Sequence, residues 1–283
     1  MNSGYERIYH FHVRKTAGSS LNAAFWALGG PEAEAKYAQP TASEDLVESN
    51  GLKFVRRDSE LISHGDYLFA SSHTPAYLLQ MPPGTFTVTI LRDPCARALS
   101  YYSYLHWART DPSALSAEPF IDDILAEGTF LDGGYRYAFS QLSPSQLRTE
   151  SAIPALGVAQ FAKRLGRLLA PGHGFEAFLN RVPPRRLMTQ LYMFSKRMDP
   201  AEAAENILAC SAVCFTETFS VDLRRLADTL ELDLQEKQER RFGKKPKLPE
   251  PAMAALRERL GPEYRMLELV HAGLTPGREA IGV

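Results

Sequence analysis

Two stretches of this chain follow one plan. Residues 8–13 (IYHFHV) and 85–91 (TFTVTIL) are short runs of β-branched and aromatic residues, and each breaks into a loop and then a helical pattern, at 19–28 and 94–107. A third run at 67–71 (YLFAS) reads as another strand. Strand, loop and helix in repetition specify a parallel sheet covered by helices, because parallel strands need a crossover to return the chain. Ligands of such sheets bind beyond the carboxyl ends of the strands. The loops after residues 13, 71 and 91 are therefore expected to face one site. The second half reads as mostly helical, at 157–169, 200–210, 221–230 and 251–270, with a short strand at 214–216. Pro171-Gly172, Pro183-Pro184 and the 243–251 stretch punctuate it without making a domain linker. The expected fold is α/β, a single domain over 1–283 with three layers and a central parallel sheet flanked by helices.

Composition narrows the function. Of 283 residues, 45% are hydrophobic and 23% charged, so the chain is globular rather than disordered. The 32 Lys and Arg nearly cancel 33 Asp and Glu, which argues against nucleic acid as a partner and against a polybasic membrane binder. Cys95, Cys210 and Cys214 do not form a secreted disulfide pattern, and no neighbouring ligand pair turns the last two into a metal site. Glu6 and Arg7 stand where a signal peptide needs an apolar stretch, and no window reaches the roughly 18 apolar residues of a membrane span. A cytoplasmic protein without a membrane span is expected.

Three loops carry candidate chemistry. The first is Arg14, Lys15, Thr16, Ala17, Gly18, Ser19 and Ser20, between a strand and a helix. A helix start offers unpaired N–H groups and partial positive charge, and Lys15 and two hydroxyls add to an anion site. The alternative is a helix capped by Ser with Lys15 in solvent. The order is not that of a Walker A loop, whose Lys follows its glycines. In the second loop, Arg92 ends a strand, Asp93 and Pro94 suit a helix start, and Ser100 follows two turns later. Arg92 and Ser100 can grip a phosphate together; the alternative is an Arg92 paired with Asp93 or another carboxylate. The third loop, after the 67–71 strand, holds His73, whose imidazole suits proton abstraction from a hydroxyl. His10 and His12 alternate with apolar residues and read as packed or orienting.

These loops resemble the motifs of one family. FHVRKTAGSSL at 11–21 is similar to the F-I-H-I-P-K-T-A-G-T-S-L loop of the carbohydrate-type (heparan sulfate and chondroitin-like) sulfotransferases, with Arg14 in the usual place of Pro, a departure that bears on loop stiffness and charge. R-D-P-x-x-R-x-x-S-Y-Y, from Arg92 to Tyr102, resembles the family's 3′-phosphate motif. SSHTPAYL at 71–78 resembles its G-H-x-P-x-x-L segment, with Ser72 for Gly. Gly134-Tyr135-Arg136-Tyr137 faintly resembles Q-T-R-Y-L, and residues 215–219 are similar to the later G-L-T-E-R-F element, a likeness of fold without chemistry. The likeness spans roughly 8–230, strongest in the first two motifs.

The resemblance implies a P-loop-like fold and the donor 3′-phosphoadenosine 5′-phosphosulfate (PAPS), with 3′,5′-ADP as product. Lys15, Thr16, Gly18, Ser19 and Ser20, flanked by Arg14 and Ala17, would hold the 5′ end; Arg92 and Ser100 would hold the 3′-phosphate, with Arg136 touching the donor phosphates. His73 would be the general base and Lys15 would stabilise the leaving group, with no metal. The acceptor would be a hydroxyl of a carbohydrate or small metabolite, chosen by loops such as 30–65, 107–120 and 170–200. The six Lys/Arg against two Glu at 235–247, Arg241, Lys244 and Lys245 among them, read as a solvated basic face or as a lid over an anion. The rival functions are a P-loop-like kinase using ATP and magnesium, and a non-catalytic nucleotide-binding module. A sulfatase is excluded by the missing Cys/Ser-x-Pro-x-Arg signature.

Overall fold

A computed structural model describes residues 4–38, 45–108 (backbone alone from 104), 182–237 and 250–274, with Leu179 and Leu248. The chain gathers into two compact units: Met1–Ala98 with Met188–Arg241 and Leu260–Val283, and Leu99–Leu187 with Phe242–Arg259.

The first unit is built on a six-stranded sheet in the order β2-β3-β4-β1-β5-β6. Its strands are β1 (Arg7–Phe11), β2 (Leu46–Ser49), β3 (Leu52–Arg56), β4 (Phe69–Ser72), β5 (Thr85–Leu91) and β6 (Ala212–Phe215). All run parallel except β2, which pairs antiparallel with β3. In the central strand Ile8 lies opposite Phe69 on β4 and Phe86 on β5. The expected α/β architecture, a sheet with helices around it and a helical second half, is present, and the sheet is parallel but for β2.

Alternation along the strands sends apolar residues to both faces, as a doubly covered sheet requires. One face, with Ile8, Phe69, Phe86 and Val88, packs against Phe25 and Trp26 of α1 (Gly18–Trp26), Ala33 of α2 (Gly30–Ala38) and Leu226 further along. The other, with Tyr9, Phe11, Ala70 and Val213, packs against Ile62 of α3 (Ser59–His64), Phe194, Ile207 and Val270. Each Val, Leu, Ile or Phe among them, fully buried, contributes about 1.5–3 kcal/mol.

The remaining helices are α4 (Pro94–Ala108), α5 (Pro184–Leu187), α6 (Thr189–Phe194), α7 (Pro200–Leu208), α8 (Phe219–Leu230), α9 (Glu250–Arg259) and α10 (Gly261–Gly273). Asp58 caps α3 by accepting from the amides of Glu60 and Leu61, and Asp199 caps α7 from Glu202. Of the second unit, the described parts are the remainder of α4, α5, α9 and short flanking segments.

Two expectations are corrected. The helix expected over 251–270 is two helices, α9 and α10, because Pro262 has no N–H with which to continue α9 and suits the first turn of a new helix. The hairpin of β2 and β3 was not anticipated. It turns on Asn50 and Gly51, at φ 52° and 72°, the left-handed pair that a two-residue hairpin loop demands. The helix expected at 157–169 and the 134–137 segment lie outside the described residues. Among the described residues, no helix is long and apolar enough to cross a membrane.

Candidate active site

The parallel strands deliver the loops after β1, β4, β5 and β6 to one edge of the first unit. His12 extends the central strand by one rung, its amide donating to Ser72 O at 3.0 Å. The loop then passes through Lys15 and Ala17, both left-handed at φ 68° and 67°. Non-glycine residues hold that conformation only where the surroundings impose it. Thr16 supplies part of the constraint: it is fully buried and its hydroxyl donates to Val13 O at 2.9 Å. The Thr16 hydroxyl therefore closes the loop on itself.

The cap of α1 is Ala17, which offers its first turn no side-chain acceptor. The alternative of a Ser-capped helix is overturned, because Ser19 and Ser20 lie inside the first turn, half-buried. Arg14 and Lys15 are half-buried as well. Gly18 leaves room for two rings. A Cβ there would lie 2.2 Å from Cδ2 and 2.5 Å from Nε2 of His12, and 2.9 Å from Cε1 of His10. Glycine lets the two imidazoles approach the helix start.

Those imidazoles form a row. His10 and His12 are stacked with ring centres 5.0 Å apart, and the His12 and His73 rings are 4.4 Å apart. Asn22, on α1, organises the row: its Nδ2 donates to Ser71 Oγ at 3.0 Å and to His12 Nδ1 at 3.4 Å. That leaves Asn22 Oδ1 as the acceptor for His10 Nδ1, at 2.7 Å. His10 is wholly buried, and burial pushes its pKa down to about 4 although the Asn22 contact favours the charged form. It is a neutral ring. His73 Nδ1 lies 2.5 Å from the His12 carbonyl. A carbonyl only accepts, so the neutral His73 carries its proton on Nδ1 and a lone pair on Nε2. Ser72, bonded to the Tyr9 hydroxyl at 2.7 Å and to the Thr74 amide at 3.0 Å, steadies the loop on which His73 sits.

Arg92, at the end of β5, turns toward the first loop. Its Nη1 donates to Lys15 O at 3.0 Å. The expected alternative, pairing with Asp93, is not what the geometry holds. The Asp93 carboxylate accepts from the Ala96 amide at 2.7 Å and the Tyr264 hydroxyl at 2.9 Å, so it caps α4 instead. Burial lowers the Arg92 pKa, against the opposing charges of Glu217 and Asp93, and among the described residues its buried Nε has no hydrogen-bond partner. The Arg92 main chain is gripped on both sides by Gln190, whose Oε1 accepts from Arg92 N at 2.7 Å while its Nε2 donates to Arg92 O at 3.0 Å.

His73, Lys15, Arg92 and the start of α1 thus lie on adjacent loops of one sheet edge. Ser100 lies two turns along α4, half-buried, in the second unit. Arg136, Arg241, Lys244 and Lys245 lie outside the described residues. Of the basic 235–247 stretch, Lys237 is described, and it pairs with Glu34 of α2.

Sequence reasoning missed Asn22, Gln190 and Glu217. Asn22 had a signal, as a polar residue inside an apolar helix four positions after Gly18. Glu217 belongs to a segment that reads as fold without chemistry, yet its carboxylate accepts from the Asp93 amide at 3.1 Å. Gln190 had none, since its partner is 98 residues away. The chain matches no family model, no curated protein and no solved structure, so the likeness to sulfotransferases rests on its motifs.

Proposed function

We propose that this chain is a PAPS-dependent sulfotransferase with a P-loop-like fold, moving the sulfuryl group to a hydroxyl of a carbohydrate or small metabolite in the cytoplasm. The observation that carries the reading is the bond from Arg92 Nη1 to Lys15 O, which ties together two motif loops 77 residues apart. The fit to an anionic donor is supported by the same arginine, a half-buried cation at the end of β5.

In this reading the start of α1, uncapped by any side chain, and Lys15 meet the 5′-phosphosulfate, and Arg92 meets the 3′-phosphate. His73 Nε2 takes the proton of the acceptor hydroxyl as its oxygen bonds to sulfur. The bond from sulfur to the bridging phosphate oxygen breaks, and the charge left on that phosphate is met by Lys15 and the helix amides. Positioning and fixed charge do most of the work, as in phosphoryl transfer. His12 and Asn22 hold His73 in the tautomer that this step needs.

The test supplies PAPS, or ATP with magnesium, together with a mixed set of sugars and small alcohols, and follows the nucleotide product. Release of 3′,5′-ADP that depends on the acceptors supports the reading. Release of ADP from ATP in its place overturns it in favour of a kinase.

A further inference from the structure

At the end of β5, where pairing with β6 stops at Leu91 and Phe215, a side chain continues the ladder. Gln190 is fully buried at the start of α6, and its amide faces the main-chain N–H and C=O of Arg92 as a further strand would. Gln190 is itself held. Its own amide donates to Glu263 Oε1 at 2.8 Å, and the Leu191 amide donates to the same oxygen at 3.3 Å. The other oxygen of Glu263 lies 3.5 Å from Arg97 Nη2, in an ion pair with both side chains wholly buried. Residues from the starts of α4, α6 and α10 thereby form one chain of contacts that ends on the backbone of Arg92.

A buried ion pair is weak evidence for stability, since apolar residues of similar size often serve as well. What an apolar replacement cannot do is hold two polar main-chain groups in register just past the end of a strand. The consequence falls on Arg92. Its backbone is fixed by Gln190 and its Nη1 by the Lys15 carbonyl, which together set the direction of the guanidinium.

We propose that Gln190, anchored by Glu263 and Arg97, is a positioning residue that fixes Arg92 and so sets the preference of the site for a nucleotide with a 3′-phosphate. This rests on the reading of Arg92 given under Proposed function. It adds that the preference is built by a side chain that touches no ligand.

The experiment titrates 3′,5′-ADP and 5′-AMP against the full chain by calorimetry, in wild type, Gln190→Met, Gln190→Glu and Arg92→Ala. Wild type prefers 3′,5′-ADP, and Arg92→Ala abolishes the preference. Gln190→Met lowers the preference about tenfold or more while its affinity for 5′-AMP stays within about twofold. Gln190→Glu keeps the acceptor for Arg92 N and falls in between, a graded response that also serves if the Met variant fails to fold. The double variant Arg92→Ala/Gln190→Met loses no more preference than Arg92→Ala alone. Equal weakening of both nucleotides in the Gln190 variants, or an unchanged preference, overturns the positioning role. A wild type without any preference for 3′,5′-ADP overturns the donor reading and this inference with it.

Discussion

His73 donates its Nδ1 proton to the carbonyl of His12 across 2.5 Å, with the two rings 4.4 Å apart. The bond joins the loop after β4 to the loop after β1 and puts the basic nitrogen of His73 at Nε2. If that nitrogen takes the acceptor proton, His73→Ala lowers kcat by about 10²–10⁴-fold and leaves donor affinity unchanged. Turnover and 3′,5′-ADP binding, measured on the same preparation, decide it. Donor binding lost in step with turnover would remove the base assignment.

Gly18 tests the imidazole row by a reversal of sign. Alanine normally stabilises a helix by roughly 0.5–1 kcal/mol over glycine. Here the added Cβ lies 2.2 Å from the His12 ring, so Gly18→Ala destabilises by about 1–3 kcal/mol, the cost of overpacking. It also lowers turnover, because His12 must move and its carbonyl orients His73. Denaturant midpoints and kcat are the readouts. A stabilised variant with full activity contradicts the packing described above.

If Arg92 meets the 3′-phosphate, Arg92→Ala removes a charge-assisted contact of about 1.5–3 kcal/mol. Binding of 3′,5′-ADP weakens accordingly and that of 5′-AMP does not. An unchanged affinity for 3′,5′-ADP refutes the assignment of Arg92.

His10 gives the fold a pH dependence of known direction. Its pKa is about 4 when folded, against 6.5 for a solvated histidine, so between those values the unfolded chain binds a proton that the folded chain refuses. Stability therefore rises with pH across that window, is fully present above about pH 6.5, and loses about 3 kcal/mol as the pH falls to 4. Burial holds the Glu263 carboxyl up, which gives the opposite slope, so the comparison is made between variants. His10→Gln should show a flatter rise in urea midpoint between pH 4 and 7 than wild type. Parallel curves would show that His10 is not the group responsible.

The sequence was most legible where signals were local. The run 85–91 became β5 with its bounds intact, because seven residues of TFTVTIL alternate without a breaker. The β2–β3 hairpin was missed although Asn50-Gly51 marks it, because its short strands carry Glu48, Lys53 and Arg56 and look like loop. The placement of Lys15, His73 and Arg92 on loops of one sheet edge was legible, because strand ends announce such loops. Their support was not. His10, His12 and Asn22 are brought together by the packing of α1 on β1, and Arg97, Gln190 and Glu263 meet across as many as 166 residues of chain. Periodicity carries no information about such pairings.

The most direct test of the central claim is the melting temperature of the purified chain with 3′,5′-ADP, set against ADP with magnesium. At about 100 times the dissociation constant, a ligand of the folded state adds about 2.7 kcal/mol. The account predicts a clear rise with 3′,5′-ADP and little with ADP. A rise with ADP and magnesium alone, or with neither, contradicts a pocket built for a 3′-phosphate.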